Sequence, residues 1–325
     1  MSVLALLLAL VFSCSALNAQ SVTVIVDKSG SGNFTNVQQA IDWVPANNNR
    51  WIRIHVKAGT YTEKVTVPAN KPYILLEGGS RARTIIQSSG HGSVVGTSTF
   101  TVSADNFVAS RITFQNTYNK LILRDEDAVP DASMERAPAF MIYGDKASFY
   151  GCGFVSLQDT LSDMQGRHYF NRCYIEGAVD FIWGSGQSIY EGCAIYSRNA
   201  GTTNFITAQG RDSPNDNSGF VFKYCTVNGD DTTFLGRVYR AYSRVVFFKS
   251  TLGSHVAPRG WFAWNFKGQE DLTTYVEEGC SGPGAKKSKR VKWMKTLGPA
   301  KLIKLVSTRK YINTDRWIEA QPRPS

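Results

Sequence analysis

The sequence predicts an all-β fold: a single-domain right-handed parallel β-helix with a short N-terminal capping helix and a C-terminal tail packed on the coils. Three observations predict it. A short motif recurs as FVASRI (107–112), FYGCGF (149–154), FNRCYI (170–175), YEGCAI (190–195), FKYCTV (222–227) and FFKSTL (247–252). Its fourth position is Cys or Ser and its sixth is usually apolar; both lie on one face of a strand and would point into a narrow interior. The composition, with 28 glycines and 12% aromatics, favours strands joined by tight turns, and 42% hydrophobic with 19% charged residues is globular rather than disordered. Starting positions of the motif differ by 42, 21, 20, 32 and 25 residues. Recurrence near 20 with occasional insertions is a solenoid signature, and the 42 is read as two coils, one without a visible motif. An antiparallel sandwich with coincidental spacing is the bland alternative.

Taken in chain order, Ser2 to Phe12 is an apolar run of signal-peptide length, followed by small residues. Residues 1–19 are therefore expected to be a signal peptide, cleaved between 16 and 20, and residues 20–325 the β-helix domain. Phe34 to Trp43 places Val37 and Ile41, with Val44 just beyond, at helical spacing and reads as the capping helix. The coils follow. From Gly279 onward the chain is rich in Lys and Gly and is expected to pack back along the outside, with SGPGAKKSKR as a solvated basic loop. Asn33-Phe34-Thr35 is a glycosylation sequon. Of six cysteines, Cys14 lies in the signal; the five that remain include no C-x-x-C pair, so zinc is not expected. Cys152, Cys173 and Cys193 would stack on successive coils. At a spacing near 4.8 Å, a disulfide and a ladder of buried thiols are both open.

The net charge of +10 suits a polyanionic partner: nucleic acid, anionic lipid or acidic polysaccharide. The basic residues read as dispersed and the chain as secreted, so no nucleic-acid or membrane partner is expected. A monomer is expected.

The register places chemistry. Asp159 follows Cys152 by seven residues, and Asp180 follows Cys173 by seven. If the cysteines occupy matching rungs, the two carboxylates stack one coil apart, about 4.8 Å. Such a pair resists double ionisation, which yields one acid and one nucleophile from the same residue type. The bland reading is two turn aspartates.

Further motifs carry a resemblance. GTYTEKV (59–65), LQDTL (157–161), GAVDFIWG (177–184), ITAQGR (206–211), LGR (235–237), GWFAW (260–264) and GPGAKKSKRVKW (282–293) resemble the pectin methylesterases of plants, over about Val22 to Trp317. The resemblance implies a parallel β-helix, a plant source, a secreted cell-wall location, and hydrolysis of the methyl esters of polygalacturonate. It implies Asp180 as nucleophile, Asp159 as general acid and base, Gln158 as oxyanion donor, and Arg237 as the cation holding Asp180. Tyr239 and Trp264 would be sugar-stacking aromatics, and Gln209 a weaker polar candidate that could equally be structural. Methyl-esterified homogalacturonan is the implied partner, a proteinaceous pectinesterase inhibitor is kept as a second, and no metal or organic cofactor is implied.

The sequence departs from that pattern at four positions. Arg136 stands in RAPAF where the family carries a second oxyanion Gln, and is kept as a substrate-binding candidate. Its charge would favour the ionised form of Asp159 and slow the first step. Ser162 and Tyr239 alter aromatic surface near the groove, and Trp183 stands where Phe is usual. The rival reading is a catalytically weak or inactive pectin-binding wall protein of the same fold. A calcium-dependent lyase would need a dense acidic cluster, and only Asp125, Glu126 and Asp127 approach one.

Overall fold

The computed structural model describes residues 22–119 and 134–324. The expected signal segment and the Asp125–Asp127 cluster lie outside the described residues. The described residues form a right-handed parallel β-helix of three sheets, with ten, eight and eight strands. Each coil runs from the first sheet (Val22–Val26 to Thr274–Glu278) through the second (Gly59–Thr62 to Thr251–Leu252) to the third (Val65–Val67 to Trp261–Phe262). Every strand pair is parallel, because each strand returns one full turn later.

The repeat works through a corner. The third motif position adopts a left-handed backbone at Gly151, Arg172, Gly192, Tyr224 and Lys249, with φ of 58°, 53°, 63°, 56° and 47°. That corner joins the first sheet to the second and turns motif positions one, four and six into the same interior. Position one builds an aromatic stack, Phe149–Phe170–Tyr190–Phe222–Phe247, with centroids 4.5–4.7 Å apart and planes within 15° of parallel. This spacing is the coil rise itself. Position four builds the thiol ladder. Cys173, Cys193 and Cys225 donate to the carbonyls of Phe149, Phe170 and Tyr190 at 3.4, 3.5 and 3.3 Å. All five described cysteines are free, so the ladder holds and the disulfide alternative does not.

Two readings of the repeat are corrected. Phe149 pairs with Ala109, and Tyr150 with Ser110, so the first motif copy is ASRITF (109–114), two residues later than FVASRI. Its corner residue is Arg111, at φ 53°. The same pairing joins strands Phe107–Ser110 and Ala147–Tyr150 directly, so no hidden coil lies between them. The long spacing is one coil with an insertion between Asn116 and Phe140. A further copy, EEGCSG (277–282), escaped the pattern because its first position is Glu277 instead of an aromatic. That carboxylate is buried and neutralised by Arg290, at 2.8 and 3.0 Å, and accepts from the Trp261 indole at 3.0 Å.

The ends are built as expected. Helix α1 (Val37–Trp43) buries Val37, Ala40 and Ile41 against the first coils. Its free N-terminal amides are capped by the Asn36 side chain at 2.9 Å and by Glu63, which accepts from Val37 and Gln38 at 2.8 and 2.9 Å. Glu63 of GTYTEKV is thus a cap. At the other end, helices α2 (Pro299–Val306) and α3 (Thr308–Tyr311) lie over the first sheet. With Trp317 from the turns that follow, they cover its outward row of Ile189, Val221, Val246 and Val276 through Leu302, Leu305 and Tyr311. Within SGPGAKKSKR, Arg290 is the exception to a solvated loop: it is buried and pins the segment through Glu277.

Candidate active site

The two aspartates sit at the corner between the second and third sheets, on neighbouring coils. Gln158 bridges to Val179, and the Asp159 amide donates to the Val179 carbonyl at 3.1 Å, so positions 159 and 180 are in register. Both take the left-handed conformation, with φ of 61° and 49°. Aspartate tolerates that region better than most residues. The corner turns Phe181 and Leu161 into the core while both carboxylates line an outer cleft of ≈270 Å³. Glycine makes the close approach possible: a Cβ on Gly177 would lie 2.1 Å from that of Phe181.

Burial sets the electrostatics. Asp159 is 8% exposed and Asp180 5%. Burial and the charge of Asp180 push the Asp159 carboxyl up to about 7, although Arg136 and Arg237 oppose the shift. Burial also leaves Asp180 raised, with Arg237 directly opposing the shift. The Arg237 guanidinium engages both carboxylate oxygens, with Nε at 2.8 Å from Oδ1 and an Nη2 contact to Oδ2. The direct ion pair favours ionisation at Asp180 over ionisation at Asp159. Arg237 is in turn fixed between aromatic faces, 4.0 Å from the Trp264 ring centre and 4.9 Å from that of Phe205. Its carbonyl accepts from the Tyr275 hydroxyl at 2.8 Å.

All seven residues singled out in the sequence line this cleft: Arg136, Gln158, Asp159, Asp180, Arg237, Tyr239 and Trp264. Tyr239 and Trp264 stack at 5.8 Å and 17°. Gln158 is half-buried and its amide makes no hydrogen bond among the described residues. Arg136 is exposed at the rim. Three other positions resolve differently. Gln209 is fully buried and structural: its oxygen accepts from the amides of Arg211 and Arg244 at 3.1 and 2.7 Å. Ser162 is also buried, with its hydroxyl 3.5 Å from the Asp159 carbonyl, so it presents nothing to a groove. Trp183, where Phe is usual, forms a wall of the cleft, edge-on to Tyr239 at 6.4 Å. Val94 also lines the cleft and was not anticipated. It comes from a connection far away in sequence that bears no motif, so no local signal could have found it.

A parallel β-helix with a buried, asymmetric carboxylate pair in an aromatic-walled cleft defines a class of carbohydrate-directed hydrolase. The chain belongs to the pectinesterase family, whose model matches residues 23–315. It is 46% identical to probable pectinesterase 55 of Arabidopsis thaliana over 310 residues, covering 94% of this chain and 93% of that protein. It is likewise 46% identical to probable pectinesterase 29 of the same plant over 306 residues, covering 93% and 90%. Among solved structures, the pectin methylesterase from carrot superposes with a TM-score of 0.85 at 30% identity, covering 93% of this chain and 96% of that one.

Proposed function

We propose that this cleft hydrolyses the methyl esters of homogalacturonan through an aspartyl intermediate, in the plant cell wall after secretion. The protein is a pectinesterase, a carboxylic-ester hydrolase. The observation that carries the residue roles is the asymmetry of the pair: Arg237 grips Asp180 alone, and Asp159 keeps its proton up to about 7.

Asp180 is ionised and attacks the ester carbonyl carbon. Each of its oxygens has a lone pair beyond the one bound by Arg237. The Gln158 amide, and Arg136 at the rim, face the oxyanion that forms. Collapse breaks the bond to methoxide as Asp159 transfers its proton to that oxygen, and methanol leaves. A water then loses a proton to Asp159 and attacks the Asp180 anhydride, freeing the uronate and restoring both carboxyl groups. Tyr239, Trp264 and Trp183 offer flat apolar faces to the pyranose rings.

Methanol release from highly methylated pectin tests this reading. Asp180→Ala should lower turnover by about 10⁴-fold or more, because a nucleophile acts as a unit with its acid. A variant that keeps more than a tenth of wild-type turnover would overturn the assignment.

A further inference from the structure

The positive charge of this protein has an address. Residues 282–325 hold twelve of its 36 Lys and Arg but only two of its 26 Asp and Glu, an excess equal to the whole net charge of +10. Residues 1–281 carry 24 of each sign and are neutral. The basic residues are therefore concentrated, not dispersed as the sequence pattern suggested, and six of the twelve, Lys301, Lys304, Arg309, Lys310, Arg316 and Arg323, belong to the segment that begins with α2 and α3.

The face covered by α2 and α3 has a groove. Its floor is a row of strand-initial residues in register along the solenoid axis, Arg167–Gln187–Gly219–Arg244–Thr274. One residue per coil gives the row a length of about 19 Å. Lys301, Lys304 and Lys310 form the opposite wall, and the hollow between measures ≈550 Å³. A second hollow of ≈520 Å³ shares Lys304, Lys310 and Thr314 and adds Arg309. Among the described residues, carboxylates pair with only one of the lining cations, Arg167, through Asp145 and Asp315. Arg244 donates to the carbonyls of Asn217 and Ser218, both at 3.2 Å, which fixes the guanidinium and leaves its charge uncancelled. The three lysines form no ion pair among the described residues. Among the described residues, no carboxylate lines either hollow. A groove of one sign focuses its field on a counter-charge. Leu297 and Leu305 add apolar surface to it.

We propose that this groove is a second, non-catalytic site for a uronate chain bearing free carboxylates, the product of the reaction proposed above. The ligand class rests on that reading. Regular carboxylates along a linear chain match cations arrayed along the axis, and sugar faces match the leucines. The groove holds the enzyme on polymer it has already de-esterified while the cleft works on ester.

The triple variant Lys301→Gln/Lys304→Gln/Lys310→Gln tests the site, since all three side chains are exposed and their loss spares the core. Retention on immobilised polygalacturonate should weaken about 10-fold, with a shallower salt dependence. Initial methanol release from fully methylated hexagalacturonate, which has no free carboxylate, should stay within about twofold, because the cleft is unaltered. The companion variant Lys286→Gln/Lys289→Gln/Lys292→Gln removes the same charge outside the groove and should change retention by less than about threefold. Wild-type retention in the first variant, or equal losses in both, would overturn the groove. Wild-type binding to phosphatidylserine vesicles without retention on polygalacturonate would overturn it too, and assign the surface to a membrane. Absence of methanol release from wild-type protein that is retained through these lysines would sink the esterase reading and leave the groove standing.

Discussion

At the scale of residues, Arg136 and Asp159 decide how the cleft responds to pH. Arg136 lowers the Asp159 carboxyl, yet burial and Asp180 outweigh it, so the acid survives a substitution that seemed to threaten it. Arg136→Gln removes an opposing charge and should raise Asp159 further. The alkaline limb of kcat/KM should then move to higher pH and turnover at neutrality should rise; unchanged or lower turnover would count against an electrostatic role for Arg136. Asp159 also holds a cost in stability. Its folded pKa of about 7 lies above the ordinary 3.8. The folded state thus keeps a proton that the unfolded chain releases, and stability present below about pH 4 is lost as pH rises through about 7. Asp159→Asn mimics the protonated form. Its stability advantage over wild type in urea should be absent at pH 4 and reach on the order of 3 kcal/mol at pH 8. Equal advantage at both pH values would rule out the linkage. Much of this site was legible: the common seven-residue offset from Cys152 and Cys173 paired the aspartates, and the coil geometry bore it out. Arg237 was reachable only through resemblance, because nothing local in LGR says that it spans two coils to reach Asp180.

At the scale of elements, the strand corner is what the linear pattern hid. A left-handed residue is easy to suspect at Gly151 or Gly192 but not at Arg172, Tyr224 or Arg111, where no glycine marks it. Without a glycine in place of Arg111, the linear pattern points to Phe107, two residues before the first copy begins at Ala109. The interior beside the aromatic stack holds a polar knot with no signature at all. His168 approaches Asp163 at 2.6 Å and the Gly144 carbonyl at 2.9 Å, and the Tyr190 hydroxyl donates to Asp163 at 2.6 Å. Burial alone would push the imidazole down, but the Asp163 carboxylate and its hydrogen bonds leave it raised. His168→Leu would strand a fully buried carboxylate. We expect a loss of about 3–5 kcal/mol in urea unfolding, and a loss below 1 kcal/mol would show that the pair is not an ion pair.

At the scale of the molecule, the first sheet has an outward apolar row that needs a cover. The C-terminal helices supply it while carrying the charge on their other side. Removal of residues 297–325 would expose Ile189, Val221, Val246 and Val276 together. Such a patch promotes association, so light scattering of the truncated chain should show aggregates under conditions where the full chain shows none. A soluble, monodisperse truncation would mean that the coils stand without the strap.

The sequence by itself determined the solenoid, its capping helix, the C-terminal strap and the pairing of Asp159 with Asp180. The strap follows from a change in composition after Gly279 and the others from local periodicity: a strand's alternation and a coil's length are written in consecutive residues. Only the tertiary structure decided that Arg237 binds Asp180 alone, that Gln209 and Ser162 are structural, that Trp183 walls the cleft, and that Lys301, Lys304 and Lys310 face Arg244 across a groove. Those facts depend on depth and on contacts between distant coils. Burial, which makes Asp159 an acid near neutrality, is a property of the folded neighbourhood and of no single stretch of chain.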